Sequence, residues 1–274
     1  MYDGTIAIGW ILIHTHLLAQ QQPGLPRADC SSPQTILQRY INAVGGEAAL
    51  GRTQTRVIEA SETEPYSFKP NEFATYEHTI KWKAPRKVAV TRLHVLAIPG
   101  AGRASVEFRF NGHDWSNSDG RASRNEENTQ PRIRKLRADV AYNDYPDKMM
   151  WRVVANPLMV AGLDRMYVDL AAAPDQSSSS LCAVRATAVD QWGAQRNDTL
   201  YFGAQDGLLT RWEIQLGAPP NPRHVNFEFG DYRQAGAVKI PFEIYFDLFK
   251  ARFRLTKVIP DMPIPDQDFE PKQP

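Results

Sequence analysis

From Thr199 to Val258 the sequence alternates apolar and polar residues with a period of two, one run after another. That pattern dictates a sheet with one face committed to a core and the other to water. Leu200-Tyr201-Phe202 leads into Asp206-Gly207; beyond it Thr210, Trp212, Ile214 and Leu216 fall on one side, Arg211, Glu213 and Gln215 on the other. Asp-Gly between two such runs suits a turn with positive φ at both central residues, so a hairpin is predicted. His224 to Phe229 repeats the pattern with Val225, Phe227 and Phe229 inward, and Val238 to Leu248 does so with Ile240, Phe242, Ile244, Phe246 and Leu248. Ala251, Phe253 and Leu255 then alternate with Arg252 and Arg254. Four or five antiparallel strands in succession make a meander.

The amino-terminal half carries the same signal. Strands are predicted at Arg56 to Glu62, Phe73 to Trp82, Lys87 to Leu93 and Ser105 to Phe110, the last closing on the hairpin pair Asn111-Gly112. Pro85 fits a strand start or edge, since it cannot donate into a central ladder. Ahead of these strands, Ser32 and Pro33 open a helix as N-cap and first-turn proline. Ile36, Leu37, Tyr40, Ile41 and Val44 share one face of it, and Gly45-Gly46 ends it, with a short turn over Glu47 to Leu50. Helical spacing returns in mid-chain at Arg132 to Tyr142 and Asp147 to Ala161, where Pro157 should break or kink the second helix. Arg121 to Gln130 and Gln176 to Ser180 read as loops, and Leu181 to Asp190 as a return to the sheet.

A chain of 274 residues, 42% hydrophobic, is long enough to bury a large core as one domain, placed at 32–271. Its 32 basic and 31 acidic residues leave a net charge of +1, which gives no field to steer nucleic acid and excludes that partner class. Ile6 to Ala19 is an apolar run too short to span a ~30 Å hydrocarbon core comfortably, and Ala19-Gln20 offers a cleavage point. Residues 1–19 therefore read as a secretory signal segment and 20–31 as a flexible leader, making an exported, periplasmic protein the expectation. Asp3 in place of a basic residue and the interruptions by His14 and His16 leave an ordinary buried helix as the alternative. Cys30 and Cys182 are the two cysteines; export allows them to bridge, two separate thiols are the other reading, and Arg27-Ala28-Asp29 is a poor lipidation signal before Cys30.

The motifs of known catalytic chemistry are missing. His78, His94, His113 and His224 stand singly without metal-ligand spacing, so solvated or satisfied histidines are expected and no metal. The Gly-containing turns Asp119-Gly120, Asp206-Gly207 and Gly100-Ala101-Gly102 do not precede helices as phosphate loops must. No Gly-x-Ser-x-Gly elbow is present, and carboxylate neighbours such as Glu126-Glu127 sit in polar loops.

Several segments resemble one family. The helix end Ala43-Val44-Gly45-Gly46-Glu47-Ala48-Ala49-Leu50 and the hairpin from Tyr201-Phe202 to Asp206-Gly207-Leu208-Leu209-Thr210-Arg211 are two of them. Asp231-Tyr232-Arg233 with Val238-Lys239-Ile240-Pro241-Phe242, and the closing Ile264-Pro265-Asp266-Gln267-Asp268-Phe269, complete the set. Together they look like the outer-membrane lipoprotein-sorting (LolA-like) superfamily, over roughly Ser32 to Pro271. The chain is also similar to bacterial exported proteins in which this module accompanies haem-bearing chains; without a Cys-x-x-Cys-His it carries no covalent haem, and no cofactor is expected. The resemblance implies an α+β fold: a strongly curved antiparallel sheet, an incomplete barrel, with helices packed in its concave face around an apolar cavity that takes up acyl chains.

The aromatic residues fit that implication. Trp82, Phe108, Phe110, Trp115, Trp151, Trp212, Phe227, Phe229, Phe242 and Phe246 offer more large apolar surface than a thin sheet-on-helix core needs. Simple core filling is the competing reading. A partly unfilled cavity would be lined by Met150, Trp151, Trp212, Phe227, Phe229, Phe242 and Phe246, with Met149, Met150 and Met159 forming a deformable lid. The expected function is non-catalytic binding of a lipid or acylated, lipoprotein-like ligand, with peripheral membrane contact. The alternatives are a module docking a membrane or redox partner, and an enzyme whose centre assembles from distant residues.

Overall fold

The computed structural model describes residues 29–66, 69–95, 105–112, 114–120, 136–137, 146–161, 167–189, 195–216 and 223–270. The signal segment at 1–19, the leader up to residue 28, the loop at 121–130 and most of the helix expected at 132–142 lie outside them.

Helix α1 (Pro33–Ala43) begins as the sequence dictates, with Ser32 Oγ accepting from the Thr35 amide at 3.4 Å and Pro33 in the first turn. It ends at Gly45, whose φ of +127° suits glycine alone. A side chain there would also meet the Ala237 carbonyl at 2.6 Å, so the same glycine lets the helix end dock on the sheet. The Lys239 amide donates to the Val44 carbonyl at 2.9 Å across that junction. Helix α2 (Glu47–Arg52) is a single further turn or so, closed by Thr53 Oγ1 donating to the Ala49 carbonyl.

The strands are β1 (Thr55–Tyr66), β2 (Lys69–Lys83), β3 (Lys87–Val95), β4 (Ser105–Phe110), β5 (Asp114–Gly120) and β6 (Leu136–Arg137). Helix α3 (Pro146–Ala155) follows, then β7 (Asp169–Ala172), β8 (Leu181–Val189), β9 (Gln195–Gly203) and β10 (Leu209–Leu216). β11 (Arg223–Ala235), β12 (Val238–Phe246) and β13 (Ala251–Pro260) complete the chain, with a 3-10 turn at Asp266–Phe269. Among the described residues the thirteen strands form one antiparallel sheet in the order β6-β5-β4-β3-β2-β1-β13-β12-β11-β10-β9-β8-β7. The expected meander is the β9 to β13 stretch of it. β6 and β7 stand at opposite edges and do not pair, so the sheet is open.

This order explains the helix in mid-chain. The first six strands run outward from β1 to one edge, the last seven run inward from the other edge to β13, and β1 pairs β13. The connection from β6 to β7 must therefore cross from edge to edge, and α3 lies on it. Its Trp151 ring sits 5.4 Å from Phe108 on β4 and 5.7 Å from Phe253 on β13. The helix stops at Ala155, two residues before Pro157, as a ring that removes an amide and clashes with the preceding turn requires.

Two local expectations are corrected. Leu136–Arg137 is a short strand paired with Trp115 and Asp114, not part of a helix; pairing at the sheet edge outweighs the local helical spacing. Thr210 does not share the inward side of β10. The β9–β10 register shifts between Leu209 and Arg211, so Leu209 takes the buried position and Thr210 Oγ1 donates to the Tyr201 carbonyl at 3.0 Å.

The sheet's apolar positions, α1 and α3 share one buried cluster, from Tyr40 and Val44 through Ile58, Ile80 and Val90 to Phe202, Trp212 and Phe253. Each large side chain removed from water contributes about 1.5–3 kcal/mol. A disulfide between Cys30 and Cys182, with Cα atoms 5.3 Å apart, ties the lead-in of α1 to β8. Elsewhere Lys81 and Lys83 of β2 each reach 2.8 Å to Asp268 and Asp266, and Lys87 of β3 reaches 2.9 Å to Asp266, so the fully buried Phe269 is held down on the neighbouring strands. Among the described residues no helix is long and apolar enough to cross a membrane.

Candidate ligand-binding site

Strand β1 presents Arg56, Ile58, Ala60 and Glu62 to the interior, a strict alternation with a charge at each end of an apolar middle. Both charges are buried, and each organises a different neighbourhood beside α3.

At the Glu62 end, register fixes the partners. Ala60 pairs with His78 on β2, which pairs with Arg92 on β3. His78 Nε2 lies 2.8 Å from Glu62 Oε2, and Arg92 Nη2 forms an ion pair with the same oxygen at 3.1 Å while donating to Glu64 Oε1 at 2.9 Å. The His78 ring is enclosed by Trp151 at 4.9 Å and Phe253 at 5.9 Å, while Arg92 lies over the Tyr76 ring at 3.5 Å. Burial lowers the His78 pKa below its ordinary value against the raising effect of Glu62, with Arg92 lowering it further. The neutral imidazole therefore donates from Nε2 to Glu62, leaving Nδ1 and Glu62 Oε1 buried without hydrogen-bond partners. Glu62 is thus a carboxylate neutralised by a cation and oriented by an imidazole, a polar pin beneath α3.

At the Arg56 end the sheet and α3 part to leave a cleft of about 390 Å³. Leu50 of α2, Trp82 and Ala84 from β2 and its turn, and Leu158, Met159 and Ala161 after α3 give it apolar walls. Arg56, Arg86 and Arg152 complete the lining with three basic residues. Arg56 is only 2% exposed. Its Nη1 donates to Asn156 Oδ1 at 3.4 Å, and its guanidinium lies 4.7 Å from the Trp82 ring centre. Burial lowers its pKa to about 10, with Asp261 and Tyr40 acting the other way, so it stays a cation at neutral pH. Arg152 reaches over the Phe110 ring at 5.9 Å.

The seven residues expected to line a cavity are all buried, and the structure divides them into groups. Trp212, Phe227, Phe229 and Phe246 form one aromatic stack on β10 to β12, with Phe227 and Phe246 parallel at 4.4 Å. Phe242 lies further along β12 beneath the Arg233 guanidinium at 4.8 Å. Trp151 belongs to the His78–Phe108–Phe253 group, and Met150 precedes it on α3. The lining of the cleft at Arg56 is drawn from other residues. Trp82 belongs to the aromatic set that the sequence marks as surplus apolar surface, whereas Arg56, Asn156 and the Glu62–His78–Arg92 group carry no motif that marks them. The available signal was phase: Arg56 and Glu62 sit in step with Ile58 and Ala60, and His78 with Ile80 and Trp82, where a solvated charge would sit out of step.

An open antiparallel sheet with a helix against its apolar side and a cleft at the helix end is an arrangement of LolA-like fold. A LolA superfamily protein of Nitrosomonas europaea superposes over 87% of this chain and 97% of its own, with a TM-score of 0.50 and 12% identity. An outer-membrane lipoprotein-sorting protein domain of Vibrio parahaemolyticus does so over 81% and 93%, with a TM-score of 0.50 and 6% identity. A DUF1329 family protein of Desulfovibrio piger covers 86% and 96%, with a TM-score of 0.49 and 10% identity. The likeness to the Nitrosomonas europaea and Vibrio parahaemolyticus proteins, at these identities, is one of fold. No protein-family model and no curated protein matches the chain in sequence.

Proposed function

We propose that this chain is an exported, periplasmic, non-catalytic protein that binds a lipid or acylated ligand between its sheet and α3. The observation that carries the reading is the cleft of about 390 Å³ with apolar walls at the end of α3, within the roughly 300–1,000 Å³ range of small-ligand pockets. The LolA-like fold supports it, because solved proteins of that fold include one described as lipoprotein-sorting. In this reading residues 1–19 are removed on export, 20–31 form a leader and 32–271 the binding domain. The helices lie in the concavity of the sheet, and the acyl chain passes from the cleft beneath α3. Met150 and Trp151 from the helix and Trp212, Phe227, Phe229, Phe242 and Phe246 from the sheet then form the apolar surface it reaches as the methionine-rich segment at 149–159 yields. Methionine suits that role because its unbranched side chain repacks easily. A lipoprotein is one source of such a chain, and contact with a membrane surface is how it would be exchanged.

A native mass spectrum of the protein purified from an exporting host tests this. The expected result is an added mass that extraction identifies as an acyl-bearing molecule, on a chain beginning near Gln20. A chain retaining Met1 in a cytoplasmic fraction contradicts export, and apo-protein that takes up no lipid on incubation contradicts the binding.

A further inference from the structure

The geometry points to an anionic group on the ligand: we infer that the cleft at Arg56 holds an acyl chain bearing a carboxylate or phosphate, with the Arg56 guanidinium as its counter-ion. This rests on the lipid-binding reading and adds the chemistry of the head group to it.

Arg56 is a buried cation whose donors are almost unused. A guanidinium carries five N–H donors in a planar fork. Here one makes a 3.4 Å bond to a neutral amide, and Nε is buried with no hydrogen-bond partner. The Trp82 ring covers the group at 4.7 Å, a cation–π contact that satisfies charge but no donor. Asp261 acts on Arg56 only through space and is exposed. A buried ion is expensive unless paired and hydrogen-bonded. Two neighbouring arginines, Arg86 and Arg152, also line the cleft. The walls beside this charge are hydrocarbon: Leu50, Leu158, Met159 and Trp82. A carboxylate or phosphate accepts bidentately from such a fork, while the attached chain meets the apolar walls. A neutral lipid would leave Arg56 as poorly satisfied as it is in the free protein.

The probes are hexadecanoate against its methyl ester, and palmitoyl lysophosphatidic acid against monopalmitoylglycerol, titrated below their critical micelle concentrations into the purified protein. The expected result is that each anion binds roughly ten-fold or more tightly than its neutral counterpart, as one hydrogen bond to a charged group would give. The tighter anion names the head group. Arg56→Gln should remove most of the margin without weakening the neutral probes, and Arg56→Lys should retain part of it. Met159→Trp, which fills the cleft without touching the charge, should weaken all four probes. If Arg56→Gln does not fold by circular dichroism, the wild-type margin and Met159→Trp carry the test. Equal affinity for anion and neutral probe overturns the inference and leaves the lipid-binding reading standing. A margin that survives in folded Arg56→Gln overturns the assignment to Arg56. No binding of any probe overturns the lipid-binding reading itself.

Discussion

Glu62 and His78, on adjacent strands, meet at 2.8 Å with both side chains almost wholly out of water. A polar pair in such a place makes stability depend on pH through the histidine. The folded chain disfavours the imidazolium, because burial lowers the His78 pKa, whereas the unfolded chain binds a proton at the ordinary value of 6.5. The stabilisation is therefore complete above pH 6.5 and falls as the pH drops below it. Urea midpoints measured from pH 8 to pH 5 should decline for the wild type. His78→Gln, which keeps a donor for Glu62 but does not titrate, should flatten the part of the decline between neutrality and the carboxylate range. An equal slope in both proteins would place the titrating group elsewhere.

Removing the carboxylate should be far worse than protonating its partner. Glu62→Ala strands the buried His78 donor and takes one of the two carboxylates from Arg92, which keeps Glu64, a loss of about 1–3 kcal/mol. Glu213→Ala deletes a carboxylate whose partner, His224, is half exposed, and should change stability by within about 0.5 kcal/mol. Denaturant melts of the two variants decide it, and similar losses would mean that Glu62 is not the pin beneath α3.

Neighbours on β10 provide the same contrast for packing. Trp212 is fully buried beside Phe227, so Trp212→Ala should cost about 3–5 kcal/mol, against almost nothing at Glu213. Comparable effects at both positions would invert the register of the strand.

The Cys30–Cys182 bond closes a loop with a sequence separation of 152. Chain entropy assigns such a long loop about 5 kcal/mol, with measured native bridges spread over about 2–5 kcal/mol. Replacing both cysteines with alanine should lower stability by that order and loosen α1 against β8 first, visible as faster amide exchange from 33 to 43. Unchanged exchange there would show that Arg39 Nη2 donating to the Ala204 carbonyl at 2.6 Å suffices to hold the helix.

Much of the fold was legible because period-two alternation is local. The hairpins at Asp206-Gly207 and Asn111-Gly112, the strands around them and the capped helix α1 follow from neighbouring residues, although the first turn has positive φ at Gly207 and not, as its Asp-Gly pair predicts, at Asp206 as well. The pairing of β1 with β13 does not, since it joins segments nearly two hundred residues apart. Without it neither the crossing of α3 over the sheet nor the cleft at its end can be placed. Thr210 departs from the alternation for a smaller reason: a register shift between Leu209 and Arg211, invisible in the sequence pattern, puts Leu209 in its place. The site was legible only as a surplus of aromatic surface. The alternation places Trp212, Phe227 and Phe246 in the interior, but a charged residue inside a strand, such as Arg56 or Glu62, reads as solvated unless its phase is set against that of Ile58 and Ala60.

The central claim is that hydrocarbon is bound between the sheet and α3. It is tested most directly by titrating the folded protein with fatty acids from octanoate to octadecanoate. Affinity should rise along the series, each buried methylene contributing up to about 0.8 kcal/mol until the space is filled. Replacing Phe242 with Asp should abolish uptake by placing an unpaired charge on the apolar surface, while Arg211→Ala should leave it intact, with folding of both checked by circular dichroism. Saturable binding that strengthens with chain length is the result this account requires; its absence in well-folded wild-type protein would contradict it.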